Sequence, residues 1–237
     1  MLSLSRGIGW RTMPSIGPPP CRSLRAIAAV GLAALALVLP AAADDDRRVG
    51  SLTGDIPTAG IASVALRLPV GRVRVEPSPD DRVHVDLEVL CSFDDFGCDE
   101  DVNELELFSA REGNRLLVRV DGMRAVNSLK LKVRGQVLVP RGKALDVDLP
   151  IGELRIRGIT GDLDVDVGCG EVVIALREHD VRTVRLGVGI GEATLSVAGR
   201  HIEGSGWLGQ KVRWGDGPGA ARVAVNLGVG ELGVKLD

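Results

Sequence analysis

Over residues 61–237, apolar and polar positions alternate with a period of two and never settle into the 3.6-residue spacing of a long amphipathic helix. Residues 82–90 are the clearest case. Val83, Val85, Leu87 and Val89 alternate with Arg82, His84, Asp86 and Glu88, which predicts a strand with one buried and one wet face. Similar patterns predict strands over 62–68, 72–76, 115–120, 129–139 and 145–149, whereas 101–112 reads as one or two helical turns. The pattern predicts an almost entirely β chain.

From residue 149 onward the alternation is cast in a repeat: a glycine, an acid, then an apolar–any–apolar triplet. Gly152-Glu153-Leu154-Arg155-Ile156, Gly161-Asp162-Leu163-Asp164-Val165 and Gly170-Glu171-Val172-Val173-Ile174 follow one another at nine-residue intervals. Gly191-Glu192-Ala193-Thr194-Leu195 and Gly230-Glu231-Leu232-Gly233-Val234 are further copies. Glycine tolerates the positive φ of a tight corner, the acid then points outward, and the apolar residues at +2 and +4 share an inward face. A β-solenoid and an antiparallel meander both satisfy this phase. Hairpins call for Asn-Gly or Asp-Gly turns, and this segment has Asp216-Gly217 and few others, whereas Gly-acid recurs at the strand starts. The expectation is therefore a single-stranded parallel β-solenoid, or β-helix, over 149–237, preceded by an N-terminal β-strand region over 61–148. Coils of two units and of three both fit the spacing. A last coil ending at Asp237 would leave a strand edge for self-association through the C-terminal coil.

The N-terminus changes the picture. Arg6, Arg11, Arg22 and Arg25 precede an apolar run over residues 26–39, and Pro40-Ala41-Ala42-Ala43 supplies small residues for cleavage. This predicts a signal peptide over 1–43 and a periplasmic or secreted protein. Fourteen apolar residues are short against the ~20 of a membrane-spanning helix. Cys21 precedes the apolar run, so it is not a lipoprotein attachment site. Cleavage removes four arginines and no acid, taking the formal net charge from −3 to −7, which disfavours nucleic acid and anionic membranes as partners. Residues 44–60 are polar and glycine-bearing, a flexible leader or at best an edge strand.

Cys91 and Cys98 flank an acidic insert and are expected to form a structural disulfide in an oxidising compartment. Cys169 then reads as a buried, inert thiol. Asp94, Asp95, Asp99, Glu100 and Asp101 lack the spacing of an EF-hand loop. His84, His179 and His201 are scattered, which argues against a zinc site. There is no G-x-S-x-G elbow and no phosphate-binding loop. No catalytic residue, cofactor or resident metal is expected. If coils stack at ~4.8 Å, the outward acids Glu153, Asp162, Glu171, Glu192 and Glu231 would form a column able to hold divalent cations weakly. Solvated strand starts that discourage aggregation are the plainer reading. Trp207 and Trp214 flank a glycine-rich turn and fit either core filling or a small sticky patch.

The stretch Leu138-Val139-Pro140-Arg141-Gly142-Lys143-Ala144-Leu145-Asp146-Val147, running into Gly152-Glu153-Leu154-Arg155-Ile156 and Gly161-Asp162-Leu163, resembles the bacterial putative-adhesin family. The resemblance covers roughly 60–237 and implies an exported β-solenoid without defined catalytic residues. It implies a non-enzymatic envelope protein with an adhesin-like binding or scaffolding role, its partner an envelope protein or a surface glycan. A sensor domain in envelope-stress signalling is the first alternative, and a polysaccharide-active β-helix enzyme the second.

Overall fold

The computed structural model describes residues 46–92, 98, 102–122, 130–206 and 208–237. The expected signal peptide, most of the acidic insert and Trp207 lie outside the described residues. The first half of the chain forms β1 (Arg47–Pro57), β2 (Ser63–Arg67), β3 (Gly71–Pro77), β4 (Arg82–Cys91), β5 (Glu106–Glu112), β6 (Arg115–Asp121) and β7 (Leu131–Val139). The second half forms β8 (Ala144–Arg157), β9 (Leu163–Leu176), β10 (Val181–Val197), β11 (Arg200–Glu203), β12 (Leu208–Trp214) and β13 (Ala221–Leu236). A single 3-10 turn, Glu178–Asp180, links β9 to β10.

Four strands, β8, β9, β10 and β13, are two or three times the length of most of the others, and each bends at its repeat glycine. The burial phase shows why. In β8, Leu145, Val147 and Leu149 are buried before the bend, and Leu154 and Ile156 after it. The parity of the inward positions changes across Ile151-Gly152. An unbroken strand would turn one of these sets to solvent; the bend keeps both inward. The same switch separates Val165 and Val167 from Val172 and Ile174 in β9, and Val225 and Leu227 from Leu232 and Val234 in β13. The halves before and after the bends thus face each other across one aliphatic core.

The bends stack in register. Gly71 of β3 lies opposite Gly152, Gly152 opposite Gly170, Gly170 opposite Gly230, and Gly230 opposite Gly191. All five hold positive φ, from 133° to 157°. A Cβ on Gly170 would stand 1.7 Å from the carbonyl oxygen of Gly152, and one on Gly230 1.8 Å from that of Gly170. The backbones approach so closely that only a residue without a side chain fits.

The strand order is β1-β4-β7-β3-β8-β9-β13-β10-β11, with β12 beside β10 and β2, β5 and β6 flanking the first half of β8. The chain is all-β, but its sheet is mixed and does not close. The pairing departs from the all-parallel coil stacking expected. Pairing is parallel among β3, β8, β9, β13 and β10, and antiparallel at β1–β4, β4–β7, β5–β6, β10–β11 and β10–β12. Nor does the winding follow chain order. β8 and β9 stack as an 18-residue coil of two units, Leu145 opposite Leu163, but β13 enters between β9 and β10. The C-terminal strand is therefore paired on both sides, with β9 and with β10.

Further details follow from the pairing. Gly161 is not a positive-φ corner; it lies in the connection between β8 and β9, pressed against the Lys143 backbone. Of the five repeat glycines, four mark bends and Gly161 marks a connection. Residues 106–112 form strand β5, paired with β6, rather than helical turns, and both its faces are largely wet. The leader contains edge strand β1, paired with β4. The boundary at 148/149 falls inside β8, whose first half pairs with β2 and second half with β3.

Cys91 and Cys98 form a disulfide buried in a small satellite core with Val89, Leu105 and Leu131. Closing a loop this short stabilises the fold by roughly 2 kcal/mol. Cys169, expected as a buried, inert thiol, lies half-buried in β9 and is not a free thiol.

Candidate functional site

Parallel, in-register strands turn repeated residues into columns. On the outer face of the halves after the bends, Glu153, Glu171, Glu231 and Glu192 lie on four successive strands directly opposite one another. The stacking thus assembles four of the five acids expected to form a column. Asp162 stands apart: it heads the connection unit on the opposite layer, where Arg222 grips it through Nη2 at 2.7 Å and through its backbone N–H at 2.8 Å. That contact holds the Asp162 carboxyl below the usual carboxylate range. No three His, Cys, Asp or Glu residues converge on a metal-sized point among the described residues, the glutamate column included.

The column changes sign at its β3 end. Arg72 lies opposite Glu153 and donates to it through Nε at 3.0 Å. Arg72 also lies opposite Arg134 of β7, and Arg74 opposite Arg155 of β8. These four arginines, with Glu153 and the backbone of Val73 and Gly135, line a concavity of about 410 Å³. Sequence reasoning missed this group. Its members come from three segments, and each looks like an ordinary wet strand position; only the register brings them together.

The outer face of the halves before the bends is acidic. Asp146 lies opposite Asp164, and Asp148 opposite Asp166. Arg67 forks onto Asp146 at 2.7 and 3.1 Å, and Arg115 reaches the same carboxylate. The fork raises the Arg67 pKa. Asn226 donates to Asp166 at 3.0 Å. Partial burial, then the charges of Asp166 and Asp146, push the Asp164 carboxyl up. Beside this face a second concavity of about 540 Å³ is floored by Gly168, Gly228 and Gly189.

The histidines do not come together. His201 contacts Ser196 at 3.1 Å, and His179 lies in the 3-10 turn beside Asp180. His84 is held between two carboxylates: Nδ1 faces Asp55 of β1, and Nε2 faces Asp80 at 2.8 Å. Contact with Asp55, then Asp80, raises the His84 pKa above 6.5, while contact with His84 lowers that of Asp80 below 3.8. The signs fix a window. The histidine contribution is fully present below pH 6.5 and is lost as pH rises through the raised value. The Asp80 contribution is present above pH 3.8 and is lost as pH falls through the lowered value. We expect the melting temperature of the wild type to fall between about pH 6 and 8, and His84→Gln to flatten that slope. Imidazole NMR titration should place the His84 midpoint above 6.5; a midpoint at or below it would dissolve the triad. Trp214, on β12, packs partly buried against the core.

No family model and no curated protein matches the chain. Among solved structures, a putative cell adhesion protein from Clostridium sporogenes aligns over 79% of this chain and 99% of its own, at 14% identity and a TM-score of 0.47. A putative adhesin from Bacteroides fragilis covers 78% of this chain and 96% of its own, at 12% identity and a TM-score of 0.23. A putative lipid binding protein from Parabacteroides distasonis covers 54% of this chain and 61% of its own, at 9% identity and a TM-score of 0.24. No helix among the described residues is long and apolar enough to cross a membrane.

Proposed function

We propose that this is an exported, non-enzymatic protein of the cell envelope that binds or scaffolds, in the manner of an adhesin, through the outer faces of its sheet. The observation that carries this reading is the in-register stacking of β3, β8, β9, β13 and β10 through five glycines. Strands joined so closely cannot slide, so the side chains on their outer faces are held in fixed columns about 4.8 Å apart. A surface ordered before contact loses little entropy when a partner docks. The Cys91–Cys98 disulfide supports an oxidising compartment, in keeping with export by residues 1–43 and a mature chain beginning at Asp44.

The purified mature protein should be retained by native envelope extract, and by intact cell surfaces, in a saturable manner. It should leave uronate polymers uncleaved. Depolymerisation of such a polymer, or no retention on any envelope fraction, would overturn the reading. Mass spectrometry of the exported protein should find Asp44 at its N-terminus.

A further inference from the structure

We propose that the concavity formed by Arg72, Arg74, Arg134 and Arg155 binds one tetrahedral oxyanion, a phosphate or sulfate monoester carried on a surface glycan, with Arg74 and Arg155 as its direct contacts. The inference rests on the binding role argued above and adds the chemistry of the ligand.

Charge carries the first part. The protein is acidic overall, yet four guanidinium groups share one concavity with a single carboxylate. Arg72 and Arg134 occupy directly opposed positions, as do Arg74 and Arg155. Like charges in opposed positions destabilise a sheet, and several charges elsewhere in this protein are neutralised by a partner of opposite sign. Asp146 has Arg67 and Arg115, Asp162 has Arg222, and Glu88 has Arg48 at 3.2 Å. Within the concavity Arg72 is braced by Glu153, and Arg134 lies 3.8 Å from Asp46. Arg74 and Arg155 are exposed and make no ion pair or hydrogen bond among the described residues. Two braced arginines and two open ones form a cradle that an incoming anion completes.

Geometry carries the second part. Arg74 and Arg155 stand one strand spacing apart, about 4.8 Å, and Arg72 and Arg74 two residues apart along β3, about 6.6 Å. Long guanidinium side chains on such a grid can converge their paired N–H groups on one tetrahedral anion. The grid is also bounded. Beyond Arg134 and Gln136 of β7, the next outward positions on β4 are Glu88 and Asp86, and on β9 they are Glu171 opposite Glu153 and Val173 opposite Arg155. A polyanion crossing the strands would meet carboxylates after two or three of them, which excludes nucleic acid and favours a discrete anionic group. The surroundings decide between carriers. Ser51, Thr53, Gln136 and the glutamate column make most of the described surroundings polar, with Val173 the apolar neighbour of Arg155, so a glycan-borne ester fits better than a lipid headgroup.

The test is calorimetry and thermal shift at low salt with glucose 6-phosphate and glucosamine 6-sulfate, using glucose and phosphatidylglycerol vesicles as comparison probes. The wild type should bind at least one ester and not glucose. Arg74→Gln/Arg155→Gln should bind it about tenfold more weakly or worse, with an unchanged or raised melting temperature because an opposed like-charge pair is gone. Ester binding that survives the double substitution, absence of binding to both esters, or binding to vesicles alone overturns the proposal. Retention on envelope extract separates the two readings. A wild type retained by the extract but binding neither ester leaves the display role standing without the cradle. A wild type that is not retained removes the display role, whatever the esters do.

Discussion

Removing residues 221–237 should abolish the cooperative fold rather than shorten it. β13 lies between β9 and β10, hydrogen-bonded to both along nearly its whole length. It contributes Val223, Val225, Leu227, Leu232, Val234 and Leu236 to the core, each 1–2% exposed. Burial of six such side chains is worth on the order of 10 kcal/mol, as much as the entire stability of a typical domain. The deletion would also leave two interior strands facing an empty slot, with their backbone groups unpaired. Circular dichroism and urea titration should show a broad or absent transition in the shortened chain, and a peptide spanning 221–237 should restore part of the native signal. In a solenoid wound in chain order, the same deletion would remove a terminal coil and leave a cooperative remainder. A shortened protein with a sharp transition would therefore contradict the strand order.

The second large effect is expected at the stacked bends. Gly230→Ala should cost about 3 kcal/mol or more, combining an L-residue forced to a φ of 141° with a methyl 1.8 Å from the Gly170 carbonyl oxygen. Gly170→Ala should behave alike, since its Cβ would meet the Gly152 oxygen at 1.7 Å. Gly233, three residues beyond Gly230 on the same strand, supplies the control. Its added Cβ meets nothing within 4 Å and its φ is not positive, so Gly233→Ala should be neutral or mildly stabilising. Urea midpoints for the three variants check this directly, and equal midpoints for Gly230→Ala and Gly233→Ala would mean that the ladder is not closely packed.

Much of the secondary structure could be read from period-two alternation, because most strands have one dry and one wet face. β4 is the plain case. β5 escaped because its residues alternate with nothing: Glu106, Ser109 and Arg111 are exposed, and so is Phe108. The β10–β11 hairpin escaped because its turn uses Ala198 at a φ of 47° before Gly199, where an Asn-Gly or Asp-Gly pair would have announced it. Strand order was hidden for a different reason. β8, β9, β10 and β13 carry the same glycine–acid–apolar signature, so any of them matches any other, and the repeat cannot choose neighbours. That same equivalence made the glutamate column legible, since identical phase in stacked strands brings Glu153, Glu171, Glu231 and Glu192 into line. The disulfide was legible from spacing and compartment. The arginine cradle was not, because Arg72 and Arg155 lie far apart in the chain and acquire a common address only through pairing.

The late arrival of β13 has a consequence for how the protein comes into being. Its partners on β9 are 60 residues upstream, and β10 must wait beside them with a gap the width of one strand. Long-range closure of this kind is slow and leaves sticky edges exposed in the meantime. During synthesis, β9 and β10 are made before the strand that fills that gap, so this part of the sheet closes only once residues 221–237 have emerged. Until residues 221–237 join, the strands already made stay pliable; once they slot in, the sheet sets into a rigid body.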